Sequence, residues 1–115
     1  MYQSDLKART TAFAQTLLAL YPRIAKLGRP YEHIAFQLFT AGSSVGAHLQ
    51  EGEVFVSIRD KRHKHVIALR EARESAYWLG LLVGDNKMLD ELRPLFSEAF
   101  VPSNVSLTSV GPIRR

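Results

Sequence analysis

Cysteine is absent from the chain, which excludes a disulfide scaffold, thiolate catalysis and cysteine ligation of a metal. No apolar run approaches the roughly 18 residues that a membrane-spanning helix needs. Asp5, Lys7 and Arg9 precede any apolar stretch, so no secretory leader is expected. Together these absences make the cytoplasm the expected location, with no membrane as a partner. β-branched runs are scarce too. The one candidate strand, Val54 to Ile58, is short and borders a helix start, so a sheet is not expected.

The 115 residues suffice for one core and not for two, and 46% hydrophobic with 23% charged residues is the balance of a globular domain rather than a disordered chain. The formal charge is +4, and its placement says more than its size. Arg59, Lys61, Arg62, Lys64, Arg70 and Arg73 stand against only Asp60 and Glu71 in the segment 59 to 73, while the rest of the chain is neutral. Such a cluster is the footprint of a phosphate-facing patch, and a solvated helix end is the plainer reading of the same charges.

Apolar periodicity predicts four helices. Leu6, Thr10, Phe13, Leu17, Leu20, Ile24 and Leu27 alternate spacings of four and three over 4 to 27, with Ser4 as cap and Pro22 expected to kink or break the helix near Leu18 to Tyr21. Gly28 stops it, and Pro30 opens a second helix to about Glu51 along the seam Tyr31, Ile34, Leu38, Ala41, Val45 and His48. Gly42 and Gly46 share one side of that helix. Each costs about 1 kcal/mol of helix propensity relative to Ala, which close approach of a neighbouring helix would offset. The run around them lacks the Gly-Lys-Ser/Thr ending of a phosphate loop and follows no strand.

Ser57 followed by Asp60 is a capping box that fixes the start of the third helix, and Gly84 stops it. Its seam is expected to be Ile58, Arg62, His65, Leu69, Ala72, Ala76, Leu79 and Val83, basic at first and apolar from Leu69 onward. A fourth helix is expected from near Asp90, with Leu92, Leu95, Phe96, Ala99 and Phe100 inward and Pro102 interrupting it. Four amphipathic helices with short connections predict an all-α, antiparallel up-and-down four-helix bundle over 1-110, with 111-115 as a tail.

Two stretches carry a family resemblance. Gln37-Leu-Phe-Thr-Ala-Gly-Ser-Ser-Val-Gly-Ala-His-Leu-Gln-Glu-Gly52 and Ile67-Ala-Leu-Arg-Glu-Ala-Arg-Glu-Ser-Ala-Tyr-Trp-Leu79 resemble motifs of the bacterial four helix bundle protein family, also called the 23S rRNA intervening-sequence or S23 family. The resemblance implies an up-and-down bundle that assembles as a ring-shaped homopentamer, with no enzyme activity. One branch of that family is the accessory protein of diversity-generating retroelements, which binds a reverse transcriptase and nucleic acid; others are encoded within rRNA intervening sequences. A pentamer would raise +4 per chain to about +20 around a ring. The chain departs from the family pattern at Lys61 and Arg62, where Phe and an aliphatic residue are usual, at His48 in place of Asn, and at Pro102 and Gly111-Pro112.

For nucleic acid, RNA or DNA, the candidate contacts are Arg59, Lys61, Arg62, Lys64, Arg70 and Arg73. No aromatic residue interrupts this basic run, which argues against base stacking. Tyr77, Trp78, Glu71 and Glu74 are the candidate oligomer interface: adjacent aromatics lie about 100° apart on a helix and cannot both face the core, and the carboxylates can pair with a neighbouring subunit. No metal, cofactor or catalytic residue is expected. No glutamate has a histidine three residues later, as a di-iron bundle requires, and His63 and His65 diverge on a helix. His65 is expected to be a satisfied, semi-buried histidine, and Ser43 and Ser44 have no neighbouring base. A homo-oligomeric scaffold for a protein partner is the alternative function.

Overall fold

Leu6, Thr10, Phe13, Leu17, Leu20 and Ile24 are all buried along one side of α1 (Tyr2–Ala25) in the computed structural model, which describes residues 2–85 and 92–99. The helix begins upstream of Ser4, which therefore lies inside it rather than capping it. It also passes through Pro22 without the expected break. Pro22 sits in the last turn, where its missing N–H removes a single backbone bond, and its own carbonyl still accepts from Lys26 N–H at 3.1 Å. Leu27 falls beyond the helix end and is exposed rather than on the seam. Gly28 reverses the chain with φ of +93°, a backbone state that favours glycine, and a cis Arg29–Pro30 peptide leads into α2 (Tyr31–Gly52).

α2 is the central helix and buries two sides. Toward α1 it presents Gly42 and Gly46. A Cβ on Gly42 would overlap Leu17 Cδ1, and one on Gly46 would lie 3.0 Å from Thr10 Oγ1, so α1 and α2 approach closely at both glycines. Toward α3 (Ile58–Val83) it presents Ala41, Val45 and Gly52; Val45 forms a small cluster with Ala68 and Ala72, and a Cβ on Gly52 would be 3.2 Å from Lys64 Cβ. The larger cluster joins Phe13, Leu17, Leu20, Ile24, Leu38, Leu79 and Leu82. Far from it, the α2–α3 connection holds Val54, Phe55 and Val56 out in solvent, Val56 at 96% exposure.

Ser57 Oγ accepts from Asp60 N–H at 3.3 Å, the N-cap half of the predicted capping box. The buried side of α3 is rotated from the predicted seam. His65, Ala68, Ala72, Ser75, Leu79 and Leu82 carry it, with Ala76 alongside, whereas Arg62 is exposed and Leu69 only half-buried. Charge keeps Arg62 in solvent, and the small side chains of Ala68 and Ser75 let α2 come close. The Ser75 hydroxyl is satisfied by donating to Glu71 O at 2.9 Å. At the far end Tyr31 Oη donates to Asp85 Oδ2 at 2.5 Å, tying the start of α2 to the end of α3.

α4 (Leu92–Glu98) lies against α3 with Leu92 and Ala99 buried; Phe96 sits over Gly80, where a Cβ would be 3.3 Å from its ring. The Arg9 guanidinium donates to both carboxylate oxygens of Glu98, at 3.0 and 3.2 Å, which joins α4 to α1. Sequential helices run antiparallel in an up-and-down order, giving an all-α bundle 48 Å long and 19 Å across. The expectations for Phe100, Pro102, Gly111-Pro112 and the 111-115 tail lie outside the described residues. No helix among the described residues is long and apolar enough to cross a membrane.

Candidate nucleic-acid interface

The burial of α3 through His65, Ala68, Ala72, Leu79 and Leu82 forces the opposite side into solvent. That side carries Arg59, Arg62, Arg70 and Arg73, all exposed. None of the four has an ion-pair partner among the described residues. Arg70 acts through space on Glu71, but with no carboxylate of the described residues at ion-pair distance the guanidinium donors stay open to an anionic ligand.

The other two cations of the sequence cluster are placed differently. Lys61 and Lys64 turn toward the end of α2 and are half-buried beside Gly52. Lys64 Nζ lies 2.7 Å from Glu51 Oε1, and this hydrogen bond holds the Glu51 carboxyl below the usual carboxylate range. Charge density along 59 to 73 marked the segment, but only helix rotation separates the exposed row from the two inward lysines.

Tyr77, sought as an interface residue, is 60% exposed. It stands eighteen residues after Arg59, five whole turns of about 3.6, so it shares the arginine face. The basic face therefore does carry an aromatic ring, contrary to the expectation drawn from the run alone. Trp78 leans the other way, half-buried against α2, with its ring edge to His33 at 5.9 Å and its Nε1 donating to Glu74 Oε2 at 3.3 Å. Glu71 is half-buried on that side as well, and burial, with Glu74 beside it, pushes its carboxyl up. Of the four candidate interface residues, Tyr77 and Glu74 are exposed, whereas Glu71 and Trp78 are half-buried toward α2.

A second apolar surface was not sought in the sequence. Leu18 and Tyr21 on α1 and Phe36 and Phe39 on α2 occupy positions three apart on their helices, with the Tyr21 and Phe39 rings edge to face at 6.0 Å. Leu18 and Phe36 are more than half exposed.

His65 is buried, as expected, but not satisfied: its Nε2 has no hydrogen-bond partner among the described residues, and burial pushes its pKa down. His48 approaches Glu51 at 3.5 Å. No group of three or more His, Asp or Glu among the described residues is placed to hold a metal ion. The Ser43 and Ser44 hydroxyls both donate back to Thr40 O in their own helix.

Helix order, packing and the absence of strands among the described residues define a four-helix all-α protein. Among solved structures the chain is similar to a protein of unknown function from the S23 ribosomal protein family of Bacteroides thetaiotaomicron, with 27% identity, a TM-score of 0.78, and coverage of 90% of this chain and 95% of that one. The S23 resemblance carried by the motifs in α2 and α3 is matched in three dimensions. No protein-family model and no curated protein matches the sequence.

Proposed function

We propose that the protein is a non-enzymatic, homo-oligomeric adaptor that binds nucleic acid, RNA or DNA, through the exposed face of α3. The observation that carries this reading is the row Arg59, Arg62, Arg70 and Arg73, four solvent-facing guanidiniums with no ion-pair partner among the described residues. Phosphate contact through such a row is tolerant of sequence and weakens steeply with salt. Self-association fits the Leu18, Tyr21, Phe36 and Phe39 surface better than the Tyr77 face, because a contact through Tyr77 would bury the arginines beside it at a desolvation cost. The family resemblance points to five subunits.

A second reading, a scaffold for a protein partner such as a reverse transcriptase, is favoured by Val54, Phe55 and Val56, three consecutive apolar residues held in solvent. The discriminating experiment replaces Arg59, Arg62, Arg70 and Arg73 together by Gln and measures subunit number by light scattering alongside nucleic-acid affinity. Lost binding with unchanged assembly supports the first reading. Intact binding, or dissolution of the oligomer, refutes it.

A further inference from the structure

We infer that the α3 face is built for a single strand, with the arginine row along its phosphate backbone and the Tyr77 ring as the platform for one base. This rests on the nucleic-acid reading above and specifies its ligand. The row is straight: Arg59 to Tyr77 spans eighteen helical residues, about 27 Å at 1.5 Å per residue. A duplex backbone completes a turn in about 34 Å, so one of its strands winds away from a straight row over most of that length. A flexible strand can lie along all four guanidiniums.

The aromatic adds an independent argument. Tyr77 is 60% exposed and follows Arg73 by one helical turn, with Trp78 packed edge to face against it at 5.1 Å. That neighbour supports the ring from one side and leaves its outer face open. Bases inside a duplex are stacked on one another and cannot reach it, whereas an unpaired base can. Val66 and Leu81, also exposed on this side of α3, add apolar surface beside the row that a purely phosphate-binding face does not need.

The test measures binding of the whole protein to a fluorescein-labelled 15-nucleotide oligo-dT, an oligo-U of the same length, a 15-base-pair duplex and an abasic strand with the same number of phosphates. The expected result is tighter binding of the two single strands than of the duplex. Tyr77→Ala should weaken the base-bearing strands about tenfold, the size of one lost stacking contact, and leave the abasic strand, the duplex and the salt slope unchanged. Tyr77→Phe should keep wild-type affinity. The exposure of Tyr77 makes both variants compatible with folding, which circular dichroism checks. Equal binding of duplex and single strand, or a Tyr77→Ala protein that binds as wild type, overturns the single-strand inference while leaving the arginine reading intact. Absence of binding to every probe at low salt overturns both, and equal competition by polyglutamate marks the face as a general anion or acidic-protein surface and overturns the inference too.

Discussion

Lys64 Nζ lies 2.7 Å from Glu51 Oε1, so a lysine counted among the phosphate-facing cations is committed to joining the end of α2 to the start of α3. Two outcomes follow. Lys64→Gln should leave nucleic-acid affinity closer to wild type than any single arginine substitution at 59, 62, 70 or 73. It should also alter the pH dependence of stability. The Glu51 carboxyl is held low in the folded state, first by the hydrogen bond from Lys64, so its contribution is present above the unfolded carboxylate value and is lost as pH falls through the lower folded one. Urea titrations from pH 7 to pH 3 should show the difference between wild type and Lys64→Gln shrinking in that acidic window. A constant difference would show that the pair has no part in stability.

Gly42 and Gly46 of α2 set the spacing to α1. Gly46→Leu places a branched side chain where a Cβ alone meets Thr10 Oγ1 at 3.0 Å, and overpacking of this kind costs about 2 kcal/mol. Gly46→Ala should be far milder, because the gain of about 1 kcal/mol in helix propensity offsets the tight contact. Denaturant midpoints of the two variants check this. Wild-type stability for Gly46→Leu would contradict the close packing.

How much of this was legible beforehand depended on the kind of residue. Long aliphatic and aromatic side chains announced the buried side of α1 and the inner residues of α4, because burial of large apolar groups dominates periodicity. Small residues did not: Ala68 and Ser75 are fully buried yet carry little hydrophobic signal, so periodicity places the α3 seam through Arg62 and Leu69 instead. The Lys64 to Glu51 pair joins two helices across a turn and has no local signature. Tyr77, by contrast, was findable, since its distance from Arg59 is five whole turns.

His65 offers a second pH-dependent test. Its imidazole is buried, its Nε2 has no partner among the described residues, and burial lowers its folded pKa. A lowered base contributes stability that is fully present above the unfolded value of about 6.5 and declines as pH falls toward the folded one. His65→Leu should remove that slope between neutral and mildly acidic pH. Parallel curves for the two proteins would place the imidazole in a better-hydrated environment than the packing shows.

The contact of Arg9 with Glu98 couples α4 to α1 across the bundle. Both side chains are partly exposed, so Arg9→Ala should lower global stability by no more than about 1 kcal/mol. Amide exchange should rise in α4 more than in α2 or α3. Uniform protection would mean that packing of Leu92 and Phe96 alone holds the helix.

The central claim is that four arginines on one face of α3 contact phosphates. Its most direct test is the affinity of wild type and of the Arg59→Gln, Arg62→Gln, Arg70→Gln, Arg73→Gln protein for a single-stranded oligonucleotide between about 50 and 300 mM salt. Wild type should show steep salt dependence, and the variant a slope in log K against log salt that is shallower by about 3, at roughly 0.7 per phosphate contact removed. Identical slopes, or a wild-type protein that binds nothing at the lowest salt, would contradict the claim.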